Sequence, residues 1–282
     1  MNMPQAPPTV EIFYHAGLGK VASTYLQKSV FPALEGIHYL PRNRFRQHPK
    51  LAKSGKHPRI LLSRECGKFL DRRLKEISSL YPNARVLLFF RRHDQWIASH
   101  YRRYVKNGGT RNFKDYIDIE NDLGIWKQQQ LVYMDMIDKV SEYLNTPAFV
   151  LTYDELQSDL ESFNKKLAHY LDASIDPNRI SSARVHKSYS EQQLIKMRML
   201  CRKLAISDPE VNDFHQFAHR TRRRLSLYRN YVLLLLCKLI PFSAGNDEEL
   251  IQAADLQRIR QHYADDWQSL LDYAARQDNS DS

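Results

Sequence analysis

The stretch Tyr14–Gln27 reads YHAGLGKVASTYLQ, a Gly-Leu-Gly-Lys turn followed by a Ser-Thr pair that opens a helix-like pattern. Residues of these types at this spacing hold anions. Backbone N–H groups and the helix dipole point at a ligand placed before a helix, and Lys20 adds a full positive charge. The general nucleotide-binding loop of this kind is G-x-x-x-x-G-K-[ST]. The chain departs from it twice: Tyr14 stands where the first Gly belongs, and Val21 replaces the Ser or Thr that would hold Mg²⁺. Both departures argue against an ordinary kinase or ATPase loop. A second pair, Arg91 and Ser99, lies in RRHDQWIASHY, eight residues apart. A guanidinium fork and a hydroxyl suit a phosphate group.

These side chains need elements to carry them. The apolar run over 9–16 predicts a short buried strand leading into the Gly turn, with a helix over 23–31. IHYL (37–40) and RILLSRE (59–65) read as further strands, and the basic segment 41–58 as a surface loop. CGKFLDRRLKEISSL (66–80) has apolar residues three and four apart, as a helix requires. ARVLLFF (84–90) is a continuous apolar run of parallel-sheet type. A helix over 93–108, closed by Gly108 and Gly109, follows it and carries Ser99. A long helical stretch (124–144), the strand FVLTY (149–153) and a helix over 156–171 come next. After Lys187 nearly everything reads as helix, with turns near Pro209 and at 241–247. Strands alternating with helices predict an α/β fold with a P-loop-like central parallel sheet, helices on both faces and a helical C-terminal cap. The expected organisation is a disordered tail (1–8), an α/β core (9–190), a helical part (191–276) packed on the same domain, and a second tail (277–282).

Composition narrows the class. The chain has 282 residues, 43% hydrophobic and 26% charged, which suits a soluble globular protein with a sizeable core. A net charge of +10 favours an anionic ligand or surface. Cys66, Cys201 and Cys237 are few, odd in number and widely spaced, which argues against a disulfide framework and for a reducing compartment. No Cys/His cluster has metal-ligand spacing, so no metal is expected. MNMPQAPPTV has neither a basic n-region nor an apolar h-region, and no run is long enough to span a bilayer, so the expected address is the cytoplasm.

In a shifted frame, His15, Gly17, Lys20, Ser23, Thr24, Leu26 and Gln27 fall in register with His-x-Gly-x-x-Lys-x-Gly-Ser-Thr-x-Leu-Gln. That pattern resembles the 5′-phosphosulfate loop of sulfotransferases that use PAPS (3′-phosphoadenosine 5′-phosphosulfate), in their bacterial and carbohydrate-type branch. Gly19 stands where Pro is common, and Ala22 replaces the usual Gly, so a positive φ at 22 would be costly. Arg91 and Ser99 match the layout of the family's 3′-phosphate motif. FVLTYDEL, HKSYSEQQL and IRQHYADDWQSLLDYA also look like members of this family, so that the resemblance spans residues 10–190 and 255–275.

The resemblance implies sulfuryl transfer from PAPS to a hydroxyl or amine of an acceptor, on a glycan or glycolipid, by in-line displacement without a metal. It gives Gly17, Gly19, Lys20, Val21, Ala22, Ser23 and Thr24 to the 5′-phosphosulfate, and Arg91 and Ser99 to the 3′-phosphate. Tyr25 and, more weakly, Tyr153 are adenine-stacking candidates, Tyr25 reading equally well as a core residue. Arg184 and Lys187 lie near the place of a basic loop closing on the 3′-phosphate, although the family's Arg-Lys-Gly triplet is absent. Lys20 would neutralise charge on the leaving oxygen. Glu65, at the end of RILLSRE, would be the base, ahead of His15, with His38 and His93 behind.

Two other readings stay open: a nucleotide-dependent P-loop-type phosphotransferase, and a non-catalytic basic binder of acidic polymers. Scattered Lys and Arg and the lack of an aromatic stacking pattern argue against a nucleic-acid partner. RTRRRLSLYRNYVLLLLCKLIPF (220–242) joins basic residues to an aliphatic run. It reads either as a buried helix of the cap or as a peripheral contact with the inner face of an anionic membrane.

Overall fold

In the computed structural model of the chain the described residues are 10–180, 189–206, 208–209, 217–239 and 249–280. Their strands are β1 (Glu11–Gly17), β2 (Leu34–Glu35), β3 (His38–Leu40), β4 (Arg59–Glu65), β5 (Arg85–Phe90), β6 (Phe149–Thr152) and β7 (Ser174–Ile175). The first helices are α1 (Ser23–Tyr25), α2 (His48–Lys53), α3 (Leu70–Ser78), α4 (His93–Lys106), α5 (Phe113–Tyr116) and α6 (Tyr133–Tyr143). Then come α7 (Tyr153–Ser158), α8 (Leu160–Tyr170), α9 (Glu191–Lys203), α10 (Phe217–Leu239), α11 (Ala253–His262) and α12 (Ala264–Ser280). The chain divides into two compact units that interleave in sequence: Met1–Arg92, Val132–Val185 and Ala264–Ser282, and His93–Leu131 with His186–Tyr263.

The first unit holds a five-stranded, all-parallel sheet in the order β3-β4-β1-β5-β6, beside a small antiparallel β2–β7 pair. Its central strands are buried at nearly every position, as expected of apolar runs covered on both sides. The register sorts side chains by face. Phe13 and Phe149 pack on Tyr170, and Phe89 on Phe163, which sets one face against α8. Phe90 points the other way, onto Tyr133 of α6, and α12 packs on α6 and β6. The chain leaves β1 toward β3 on one side, whereas β5 runs to β6 on the other, so β1 and β5 flank the topological switch point. Ligands of open α/β sheets bind outside the carboxyl ends of the strands at such a point.

In the second unit α4 packs on α9 and α11, and α9 on α10. The buried Arg198 donates to the hydroxyl of Tyr101 at 2.9 Å. Asp208 accepts from the Tyr104 hydroxyl (2.6 Å), from the amide and hydroxyl of Thr110 (2.9 and 2.8 Å) and from Arg111 Nε (3.1 Å), fixing the turn after α4.

Five expectations need correction. The basic segment 41–58 is not a bare loop: Arg42–Gln47 is a 3₁₀ turn running into α2, held by the buried His48 against the Tyr81 hydroxyl at 3.0 Å. Of 124–144, only Tyr133–Tyr143 is α-helical, after a 3₁₀ turn at Gln128–Leu131. The helix expected over 156–171 is two helices, because Asp159 is extended and caps the second by accepting from the Ser162 amide. Tyr153 belongs to α7 rather than to the preceding strand; Thr152 at the N-cap and Glu155 at the third helical position close a capping box around it. At the C-terminus α12 continues to Ser280, past the expected helix end at 276.

Candidate functional site

β1 ends at Gly17, whose φ of 151° turns the chain out of the sheet into the loop 18–22. Leu18 and Val21 are buried and anchor that loop from below. Lys20 (φ 72°) and Ala22 (φ 64°) both take left-handed backbone conformations. Ala22 therefore accepts the positive φ that its Cβ makes costly, at about 1–2 kcal/mol for a non-glycine residue. Left-handed residues in a turn aim successive N–H groups into one concavity, the nest that binds anions. Within the loop, Ser23 is buried and donates its hydroxyl to the Leu18 carbonyl at 3.2 Å. That proton is committed to holding the loop, which leaves Thr24, half-buried, as the second hydroxyl of the pair. Tyr25 is half-buried rather than a core residue, and partial burial raises its phenol pKa. Beyond Tyr25 the helix widens into a π-helical turn, Leu26–Val30. Such turns re-aim side chains and occur often at functional sites; this one carries Gln27.

A buried polar cluster lies on the same side of the sheet. His15 and Ser63 are paired in register on neighbouring strands, with Nδ1 and Oγ 2.8 Å apart. Gln27 Nε2 donates to the same Ser63 oxygen at 3.0 Å. His15 is 1% exposed, packs edge-on to Phe31, and burial drives its pKa down to about 4. Its Nε2 atom has no hydrogen-bond partner among the described residues. Glu65 follows Ser63 by two residues, so it faces the same way, and pairs in register with Gly17 at the carboxyl end of the sheet. It is half-buried and has no ion-pair or hydrogen-bond partner among the described residues. Beside Gln27 an open groove of about 660 Å³ is lined by Phe31, Pro32, Ile37, His38 and Tyr39.

Arg91 directly follows β5, and its carbonyl accepts from the Tyr133 hydroxyl at 2.7 Å. The Arg91 guanidinium lies over the Tyr153 ring, 4.3 Å from its centroid, as the paired ends of β5 and β6 require. The carboxyl edge of the first unit's sheet thus gathers Gly17, Glu65, Arg91 and Tyr153 from its four central and outer strands β1, β4, β5 and β6. Ser99 is half-buried on α4, in the second unit, and Arg184 and Lys187 lie outside the described residues. His38 stacks on His57 at 4.0 Å and lines the groove beside Gln27; His93 is buried with Nε2 on the Leu131 carbonyl at 2.9 Å and its ring stacked on Tyr263. The surroundings of His93 are those of a core residue. Among the described residues no group of three or more His, Cys, Asp or Glu could hold a metal ion. Sequence reasoning missed the link through Gln27 from the loop to Ser63 and His15. Its signal was the presence of His15 and Ser63 inside otherwise apolar strands.

Chemically, this edge combines a backbone nest, Lys20, an arginine held against an aromatic ring, and a carboxylate. It can bind a polyanion and remove a proton beside it. No protein-family model and no curated protein matches the chain. Among solved structures the chain is similar to a sulfotransferase from Alicyclobacillus acidocaldarius, with a TM-score of 0.48 and 11% identity, over 81% of this chain and 96% of that one. It is also similar to the mouse sulfotransferase SULT7A1, solved complexed with PAP, with a TM-score of 0.40 and 10% identity, over 94% of this chain and 89% of that one.

Proposed function

We propose that the chain is a PAPS-dependent sulfotransferase acting on a hydroxyl or amine of a glycan or glycolipid. The observation that carries the reading is the loop 17–22: two left-handed non-glycine residues, one of them Lys20, at the switch point of a parallel sheet. A loop that keeps such costly backbone angles does so where the concavity they make has a use. PAPS fits this donor set, because its phosphosulfate needs many N–H donors and a cation while its 3′-phosphate needs a second basic group.

In this proposal the amides of residues 19–24 and the Thr24 hydroxyl hold the 5′-phosphosulfate, and Arg91 holds the 3′-phosphate. Tyr25 and Tyr153 supply aromatic surface for the adenine. When bound, PAPS supplies a transferable sulfuryl group and a stable nucleotide bisphosphate as leaving group. Lys20 places its ammonium where negative charge grows as the bridging oxygen departs, the electrostatic contribution that dominates such transfers. Glu65 accepts the proton of the attacking hydroxyl. Neutral His15, Ser63 and Gln27 hold the strand end and the π-helical turn together beside it. A glycolipid acceptor would bring the enzyme to a membrane surface, and residues 220–242 are the segment proposed to meet it there.

Thermal unfolding with adenosine 3′,5′-bisphosphate, against ATP with Mg²⁺, tests the donor reading. Bisphosphate at about 100 times Kd should add about 2.7 kcal/mol. For a chain of this size that is a rise in Tm of roughly 5 °C. Equal shifts with Mg-ATP would instead favour a phosphotransferase, and no shift with the bisphosphate would sink the assignment.

A further inference from the structure

α10 is apolar on two sides. Asn230, Leu233, Leu234 and Cys237 are buried, where the helix packs on α9. Opposite them, Leu225, Tyr228, Val232, Leu235, Leu236 and Leu239 are exposed, Tyr228 by 72% and Leu239 by 67%. At about 100° per residue these six fall within an arc of about 100°, a continuous stripe along the helix. Charge borders it on both sides. On the same helical wheel Arg224 and Lys238 lie at one edge and Arg229 at the other, and all three are exposed. The sequence from Phe217 to Leu239 contains no Asp or Glu, and Arg220, Arg222 and Arg223 extend the basic run toward its start. An exposed apolar face of this size in a soluble molecule marks a contact.

We propose that this stripe of α10 seats the protein on an anionic lipid surface, the helix lying in the headgroup plane rather than crossing the bilayer. No described helix is long and apolar enough to cross a membrane. The stripe is aliphatic where acyl chains would receive it, and Tyr228 and Tyr231 are amphipathic rings suited to the headgroup level. Basic residues on both edges complement anionic headgroups, each strengthening binding near the surface. The same charges disfavour a second copy of the chain as occupant. A two-fold pairing of the stripe would bring Arg224, Arg229 and Lys238 against their own counterparts without one carboxylate on the helix to offset them. The inference stands on α10 alone and does not depend on the donor chemistry.

The test is sedimentation of the full chain with vesicles of phosphatidylcholine alone and of phosphatidylcholine with phosphatidylglycerol, at low and high salt. The expected result is pelleting with the anionic vesicles at low salt, release at high salt, and none with the neutral ones. Two variants divide the contributions: Val232→Glu with Leu235→Glu should abolish binding by placing carboxylates in the stripe. Arg224→Gln with Arg229→Gln and Lys238→Gln should weaken it on the order of a hundredfold while leaving the apolar face intact. Circular dichroism confirms that each remains helical, and either variant alone suffices if the other fails to fold. Absence of pelleting at low salt overturns the proposal. So does pelleting undiminished in the variants, or a concentration-dependent dimer that Val232→Glu dissociates while no vesicle is bound.

Discussion

His15 is a titratable ring held in a place where it cannot easily charge. Its folded pKa is near 4, whereas an exposed histidine titrates near 6.5. Above the higher value both folded and unfolded states are neutral, and the full stability is present. As pH falls from 6.5 to 4 the unfolded chain takes up a proton that the folded chain refuses, so stability is lost across that window. The loss from this one residue is about 3 kcal/mol. Urea unfolding at pH 7 and pH 4 should show it, and His15→Asn should remove it; an unchanged pH dependence in the variant would mean that His15 titrates freely. Enclosure separates His15, which is buried, from Glu65, which stands half-buried at the carboxyl end of the sheet. Glu65→Gln should abolish turnover and spare bisphosphate affinity, whereas His15→Ala should lower stability more than turnover in the fraction that folds. The assignment of the base reverses if His15→Ala folds but is inactive while Glu65→Gln still turns over. Lys20→Ala keeps a Cβ at φ 72° and so leaves the backbone cost unchanged. It should lower turnover by roughly a hundred- to thousandfold through lost charge compensation alone.

The loop from β1 into α1 holds two of the five positive-φ non-glycine residues among the described ones, and one substitution reports on it. Ala22→Gly removes the Cβ from a left-handed residue, offset in part by the greater freedom of glycine in the unfolded chain. The net should be a gain of about 0.5–1 kcal/mol in unfolding free energy, read by denaturant titration; a loss would mean that Ala22 makes packing contacts outweighing its backbone cost. This loop also marks the limit of what the residues alone disclosed. Strands β1, β4 and β5 were legible because a parallel strand covered on both faces must be a continuous apolar run, and RILLSRE matches β4 at both ends. The anion-binding character of the loop was legible from its glycines, Lys20 and the hydroxyl pair. The positive φ at Lys20 and Ala22 was not, since residues with a Cβ avoid it unless the surrounding fold imposes it. The break between α7 and α8 was hidden for a similar reason: the apolar period runs through Leu156, Leu160 and Phe163 without a gap, while Asp159 inside it caps α8. The join of His15 to Ser63 and Gln27 depends on strand register across 48 residues, which periodicity does not encode.

For the molecule as a whole, a net charge of +10 makes two kinds of anion binding expected, and ionic strength separates them. Long acidic polymers should bind the scattered surface cations, releasing counterions as they do, and lose affinity steeply as salt rises. Under the proposed function, a nucleotide bisphosphate in the loop beside Lys20 and Arg91 would instead be held by fixed N–H donors and short charged contacts in partly buried surroundings, which salt screens less. Affinities for a heparin fragment and for adenosine 3′,5′-bisphosphate should therefore diverge between roughly 0.05 and 0.5 M salt, where the screening length shortens from about 14 Å to about 4 Å. The polymer should lose at least a hundredfold and the bisphosphate no more than about tenfold. Arg91→Ala should weaken only the second, by roughly 2–4 kcal/mol, since it removes one partner of a charged contact and leaves the surface field nearly intact. A polymer affinity that survives high salt, together with a bisphosphate affinity indifferent to Arg91, would make the chain a polyanion binder rather than an enzyme. The contrast is decisive because a net positive charge acts at a distance and is screened, while the loop acts only on a ligand that enters it.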